Sequence, residues 1–296
     1  MTMTFDYFPG CTLSTQAAGY DVSGRAVAEV LDMTLNELPE WQCCGATFPL
    51  ATDNTMALIA PTRLLTQAQK ASGHMTTLCA ICYHVLKRTQ VFLDRQPEVL
   101  ERINWFTEEP YEGQARVTHF LELLRDELGW EHLAERVKRP LAGLKVAPYY
   151  GCLLLRPGNE IGLDDPDEPT ILHDCLAALG CEVVDFPYKI ECCGSYLVVN
   201  KPELPEKLAG EIVASARRNG ARAIVTACPL CQFNLDYSQR GDNGGRYARG
   251  DELPVLYFTQ LMAVALGLEE AAWGMEKHYV DPMSLFVETA KPTDNY

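Results

Sequence analysis

The chain has 296 residues, 47% of them apolar, with a formal net charge of −15 and twelve cysteines. Such acidity argues against nucleic acid or an anionic membrane surface as a partner, and the apolar content is that of a folded globular protein. The length suits one large domain or two of about 150 residues.

Met1–Gly10 has no basic segment followed by an apolar one, so no secretory signal is read there and a cytoplasmic protein is expected. The apolar stretch Leu253–Leu268 is broken by Pro254, Thr259 and Gln260 and is too short to span a bilayer. In a reducing compartment, cysteines serve as metal ligands, redox thiols or buried filler and not as disulfides.

In chain order, Thr4–Phe8 reads as a strand, Tyr20–Leu31 as a helix, Thr34–Leu38 as a strand, Asp53–Ala71 as a helix and Met75–Leu78 as a strand. Val117–Leu124 is an apolar run leading into a helical pattern. Glu135–Gly143, basic and containing Pro140, is a join. The same order then returns: strand Leu144–Tyr150, helix Thr170–Leu179, strand Glu182–Phe186, helix Pro202–Asn219 closed by Gly220, strand Arg222–Ala227, and the run Leu256–Met262. Strands alternating with helices predict an α/β fold with parallel strands. We divide the chain into two tandem half-domains, 1–135 and 144–268, with a tail 269–296 that belongs to neither.

Ten cysteines obey the same repeat. Cys11, Cys43-Cys44-Gly45 and Cys79-Ala-Ile-Cys82 form one copy; Cys152, Cys192-Cys193-Gly194 and Cys228-Pro-Leu-Cys231 form the other. Thirty-four residues separate Cys44 from Cys79 and also Cys193 from Cys228, whereas the first spacers are 31 and 39 residues. The excess is assigned to the acidic turn Gly162–Pro169. Each cysteine group follows the carboxyl end of an expected strand, where open α/β sheets gather their sites. Helices beginning at each Cys-x-x-Cys would aim their N-terminal N–H groups at the thiolates.

Five thiols are one too many for tetrahedral zinc or an ordinary cubane. The fifth indicates either a bridging thiolate or a reactive free thiol beside a four-ligand cluster. All-thiolate ligation favours iron–sulfur.

This doubled pattern resembles the cysteine-rich CCG domain, and two copies over about residues 5–268 are similar to the B-type subunit of heterodisulfide reductase. The resemblance implies two pseudo-twofold related CCG half-domains with short parallel sheets and flanking helices. It also implies two noncubane [4Fe-4S] clusters. Cys11, Cys43, Cys44, Cys79 and Cys82 would hold one, and Cys152, Cys192, Cys193, Cys228 and Cys231 the other. In the methanogen enzyme it implies cleavage of the coenzyme M–coenzyme B disulfide between such clusters. The implied partners are a ferredoxin-like iron–sulfur subunit of the C type, a flavin-containing subunit of the A type and a small disulfide or thiol substrate. This chain has neither a ferredoxin cysteine run nor a Gly-x-Gly-x-x-Gly turn, so electrons must come from another protein of the complex.

The candidate catalytic set is Cys11, Cys43, Cys44, Cys152, Cys192 and Cys193, with Lys189. Lys189 and Arg156 are placed to offset thiolate charge or steer an acidic substrate, although solvated surface charge is the default for both. The chain departs from the methanogen pattern at Cys152-Leu-Leu-Leu155, where that pattern has a His after the cysteine, and at Gly194-Ser-Tyr-Leu-Val-Val199, where it has a glycine-rich stretch. Both changes make the cavity more apolar and weaken the case for that coenzyme pair. The alternatives are an electron-relay or anchor subunit of a succinate, fumarate or glycolate oxidoreductase, and a zinc scaffold. Cys175 and Cys181 read as filler, His84 as a surface residue, and His119 and His173 as structural. Trp273, Tyr279 and Phe286 in the tail would either dock a partner or pack back.

Overall fold

The computed structural model describes residues 3–46, 54–240 and 252–287. Two four-stranded, all-parallel sheets form, one per half. The first contains β1 (Met3–Tyr7), β2 (Met33–Glu37), β3 (His74–Thr77) and β4 (Arg116–His119) in the order β2-β1-β3-β4. The second contains β5 (Lys145–Tyr149), β6 (Glu182–Val183), β7 (Ala223–Thr226) and β8 (Val255–Tyr257) in the order β6-β5-β7-β8. Equivalent registers recur, with Phe5 opposite Leu35 in one sheet and Val146 opposite Val183 in the other.

The chemistry of the central strands fits this arrangement. Ala223–Thr226 is buried at every position, as a strand covered by helices on both faces must be. In both sheets the strand order reverses beside the first strand, between β1 and β3 and between β5 and β7. Loops leaving those neighbours part to opposite faces and open a crevice at the carboxyl edge. These loops carry Cys11 and Cys79 in one half, and Cys152 and Cys228 in the other.

The α/β reading with parallel strands is found in both halves. The runs Val117–Leu124 and Leu256–Met262 each open with a fourth strand before turning helical. The expected strand Glu182–Phe186 pairs only over Glu182–Val183, as the chain turns through Pro187 toward Cys192. The helix expected from Asp53 is a 3-10 turn, Thr55–Leu58, followed by an α-helix, Ile59–Lys70; Asp53 itself lies outside the described residues. The longer first spacer of the second half holds a short helix, Gly158–Ile161, and the acidic turn. There Asp164 accepts from the amides of Thr170 and Ile171 at 2.7 Å and starts the next helix.

The halves are intergrown. Helix Phe258–Ala265 of the second packs on helix Ala18–Val30 of the first, with the Ser23 and Thr259 hydroxyls 2.7 Å apart. Tyr20 and Tyr257 stack across the junction, ring centroids 4.0 Å apart and planes within 1°. The tail, described to residue 287, folds back: Trp273 and Phe286 are buried against each other, while Tyr279 stays half exposed. Its Gly274 lies so close to Gly19 that a side chain at either position would strike backbone.

Candidate metal centres

In each half the three cysteine loops meet. Cys11 and Cys43 bring their sulfurs to 3.7 Å, and Cys44 and Cys82 to 3.5 Å. The second half repeats this with Cys152–Cys192 at 3.6 Å and Cys193–Cys231 at 3.5 Å. All ten are free thiols. In both nests the second cysteine of the pair and both members of Cys-x-x-Cys are buried, whereas the first cysteine of the pair is exposed. The nest is therefore closed on the core side and open on one edge.

Three local devices are repeated. First, Gly10 and Gly151, just before the first cysteine, have φ of +72° and +66°. A Cβ there would stand 2.7 Å from the Cys82 sulfur and 3.0 Å from that of Cys231, so only glycine lets the turn reach the far end of its nest. Second, the glycine after each adjacent pair takes positive φ and turns its amide back. Gly45 N–H donates to Cys43 Sγ and Gly194 N–H to Cys192 Sγ, both at 3.4 Å. Third, Thr77 and Thr226 accept through Oγ1 from the amides of Cys79 and Cys228, at 3.2 and 3.3 Å. Helices Ala80–Arg95 and Pro229–Tyr237 begin directly after Cys79 and Cys228, which places these two cysteines at the helices' positive ends.

The electrostatics favour thiolates. The Cys152–Cys192 hydrogen bond lowers Cys192 to about 6, and the bonds from Cys82 and Cys231 lower Cys44 and Cys193 to about 7. Their partners Cys82, Cys231 and Cys152 are pushed up. One thiol in each of these three pairs thus favours the anionic form that iron or zinc requires, whereas burial pushes Cys43 up to about 11. Among the described residues, no three His, Cys, Asp or Glu donors close on a single ion position. The thiols stand instead in pairs around a wider space. In the second half all five cysteines line one apolar cavity with Leu153, Leu154, Ser195 and Tyr196. A sulfur-rich, apolar cavity walled by five thiols suits a multi-iron cluster.

Several neighbours carry no sequence signal of their own. Ser195 lies 3.0 Å from Cys193 Sγ and donates to the Leu230 carbonyl. Asn234 donates to the Cys193 carbonyl at 2.5 Å. Tyr196 reaches across the halves, its hydroxyl donating to the Ala46 carbonyl beside the first CCG triplet at 3.1 Å. The repeated Thr-x-Cys is visible in the sequence, as Thr77-Leu-Cys79 and Thr226-Ala-Cys228.

The remaining candidates have definite places. The Lys189 ammonium is held by Asp185 at 2.9 Å and Glu168 at 3.3 Å; its main-chain carbonyl accepts from Tyr150 and Gly151 and supports the Cys152 turn. Arg156 is bound to the Ile190 and Pro166 carbonyls and pairs with Asp167. His84, expected on the surface, is 3% exposed: its Nδ1–H donates to the Leu153 carbonyl of the other half at 3.0 Å. His119 is structural, donating from Nε2 to the Leu78 carbonyl at 2.9 Å. His173 meets the Tyr150 hydroxyl at 2.7 Å. Cys175 is fully buried among apolar side chains and Cys181 half-buried.

Comparison with known proteins places this geometry. The family model for the cysteine-rich domain, CCG, matches residues 5–87 and 146–236. The chain is 35% identical, over 96% of its length and all of the relative's, to the 8-methylmenaquinol:fumarate reductase membrane anchor subunit of Wolinella succinogenes. It is 29% identical, over 92% of both chains, to the B-type subunit of the ferredoxin/F420H2-dependent CoB-CoM heterodisulfide reductase of Methanosarcina acetivorans. Among solved structures, a hypothetical protein from Helicobacter pylori shares the fold with a TM-score of 0.73 at 14% identity. That match covers 94% of this chain and about half, 52%, of the other.

Proposed function

The chain belongs to the CCG cysteine-rich domain family, and from that premise we propose that it is the iron–sulfur subunit of a heterodisulfide-reductase-like oxidoreductase complex. On this reading Cys11, Cys43, Cys44, Cys79 and Cys82 hold one noncubane [4Fe-4S] cluster, and Cys152, Cys192, Cys193, Cys228 and Cys231 the other. A small disulfide is cleaved between them, or formed in the reverse direction. Bound iron–sulfur would supply one electron per nest, and an S–S bond needs two. The observation that carries this reading is the joining of the two nests at their Cys-x-x-Cys turns, where the Ala80 amide donates to the Ala227 carbonyl.

The chain's own residues set the conditions. Buried Cys44, Cys79, Cys82 and their counterparts close each nest on the core side, and Leu153 and Leu154 keep water from the second. Cys11, Cys43 and Cys192, all exposed, leave the edge by which a substrate arrives. Two partner proteins, one ferredoxin-like and one flavin-containing, would deliver the electrons. Lys189, fixed by Asp185 and Glu168, would act by steadying the Cys152 turn.

Anaerobically purified protein should hold about eight irons, four per nest. In the assembled complex, Cys193→Ala should abolish disulfide reduction by a reduced dye. Far fewer irons, or undiminished reduction by the variant, would sink the proposal.

A second reading is favoured by the full-length similarity to a quinol:fumarate reductase component. Here the chain relays electrons in, or anchors, a quinol-linked complex and cleaves no disulfide. The apolar run Tyr196-Leu197-Val198-Val199 beside the second nest is exposed, Val199 to 91%, and fits a surface that meets a partner or lipid. No helix among the described residues is long and apolar enough to cross a membrane. Quinol oxidation by the complex with no disulfide reduction would establish this reading over the first.

A further inference from the structure

A cleft of about 260 Å3 opens between the halves, bounded by the turn after Cys11, the start of helix Pro229–Tyr237 and the tail. Leu230, inside Cys228-x-x-Cys231, is at once a wall of this cleft and of the cavity that holds the second nest. Thr12, on its opposite side, has Oγ1 3.9 Å from Cys11 Sγ. The cleft thus adjoins both nests.

Its lining is not a by-product of the repeat. The pseudo-twofold related cleft lies beside Cys152 and is walled by His84 and Arg88, two and six residues after Cys82. At the same offsets from Cys231 stand Phe233 and Tyr237. Their rings are 5.0 Å apart, and Tyr279 closes on them at 6.1 and 5.2 Å. One half presents a neutral imidazole and a guanidinium where the other presents an aromatic shelf, its Tyr237 ring covered by the Arg240 guanidinium at 3.2 Å. Phe233 and Tyr279 are both substantially exposed, although neither is needed to bury a core.

Among the described residues that line the aromatic cleft, Lys277 alone is charged, and its ammonium is tied to the Thr15 carbonyl at 2.9 Å. With Thr12 and Gln16 it supplies hydrogen-bond donors at one end. Behind the cleft, the Tyr257 hydroxyl donates to Gln232, whose amide reaches Asp236 at 3.1 Å and His278 at 3.3 Å. His278 lines a separate acidic cleft with Glu270, Glu276 and Asp281. A polar chain therefore joins the aromatic cleft to a second opening.

We propose that this cleft binds a flat, uncharged ring compound of the quinone class, its ring against Phe233, Tyr279 and Leu230 and one carbonyl oxygen toward Lys277, Thr12 and Gln16. Stacked aromatic walls with a few donors at one end are the chemistry such a ring requires. The inference deepens the quinol-linked reading and rests on it.

The test uses the full chain and 2,3-dimethyl-1,4-naphthoquinone, whose methylated ring positions block addition of the many thiols. Binding is followed by quenching of intrinsic fluorescence. Wild type should bind saturably, and Phe233→Ala with Tyr279→Ala should weaken binding at least tenfold at a temperature where the variant's circular dichroism shows it fully folded. Trp105→Ala, on a distant exposed helix end, should leave it unchanged. Equal binding by the double variant, or no saturable binding by wild type, overturns the proposal. A parallel assay of quinol oxidation by the assembled complex separates the two levels. Turnover that survives the double variant leaves the quinol-linked reading standing and places the site elsewhere. Binding lost in the variant, with no quinol turnover in any form, keeps the cleft as a ring-compound site and removes the reading.

Discussion

The Ala80 amide donates to the Ala227 carbonyl at 3.3 Å, tying the turn of one Cys-x-x-Cys to that of the other. The twofold-related bond would run from residue 229 to the Leu78 carbonyl, but Pro229 has no N–H. Leu78 O is satisfied instead by the Tyr20 hydroxyl at 2.8 Å and His119 Nε2 at 2.9 Å. The Tyr20 hydroxyl also lies 3.3 Å from Ala227 O. The axis between the nests is thus a buried polar seam whose two sides are completed differently. Each half's Cys-x-x-Cys turn depends on the other half for a hydrogen-bond partner.

Ala80→Pro should therefore weaken the seam while sparing the helix. Residue 80 is the first helical position, where proline is tolerated, and Cys79 already has φ −82° and ψ 112°, the extended shape that precedes proline. What is lost is one buried hydrogen bond, worth about 1–3 kcal/mol once the Ala227 carbonyl is left with only the longer Tyr20 contact. Chemical unfolding should show that loss with helical circular dichroism unchanged. An unaltered unfolding midpoint would show the bond to be dispensable.

Gly10→Ala and Gly151→Ala should each disable a single nest. The methyl group meets the Cys82 or Cys231 sulfur, and positive φ adds about 1–2 kcal/mol of backbone strain. Each variant should retain about four irons instead of about eight, and the pair together close to none. Full iron content in Gly10→Ala, the tighter of the two positions, would show that the turn yields.

Much of this arrangement is legible because its signals are local. Pro202 and Gly220 bracket a helix found at Glu203–Arg218, and strand after strand ends in a cysteine loop where the sequence puts one. Contacts between the halves carry no such mark. His84 looks like a surface residue on a helix start until Leu153, 69 positions on, supplies its acceptor and covers it. Tyr196 gives no hint of its bond to Ala46, 150 residues away. Lys189 stands out in the sequence only by its closeness to Cys192 in the chain. Asp185, four residues earlier, is visible as a partner, but Glu168 is brought up only by the acidic turn. Residues whose role depends on the other half are the ones a linear pattern misplaces.

Acid should loosen the protein as its buried histidines take up protons. Burial lowers His84, His119 and His278 to about 4, from an unfolded value near 6.5. His119 shows why: Nε2 donates to Leu78 O while Nδ1 accepts the Leu121 amide, so a second ring proton would break a bond. For a depressed value the stabilisation is complete above about 6.5 and is lost as pH falls toward 4, on the order of 3 kcal/mol per histidine. Asp236, raised to about 6 by burial, acts oppositely, stabilising below its unfolded value and losing that contribution as pH rises through about 6. With three histidines against one aspartate, the unfolding midpoint should fall between pH 7 and 5. His119→Gln should flatten the slope, and an equally steep slope in that variant would assign the effect elsewhere.

Thiol reactivity should separate nest cysteines from filler in metal-free protein. Cys192 is exposed and lowered to about 6, so it is substantially thiolate at pH 7. Cys175 is fully buried and pushed up, and Cys181 is raised to about 12 by burial. Iodoacetamide with peptide mapping should label Cys192 first, with its rate falling as pH drops through about 6, and leave Cys175 unmodified until unfolding. Reloading iron anaerobically should protect Cys192 and leave the labelling of Cys181 unchanged. Protection of Cys181 to the same degree would draw it into the second nest, and labelling of Cys192 no faster than Cys181 would remove the thiolate character argued from its bond to Cys152.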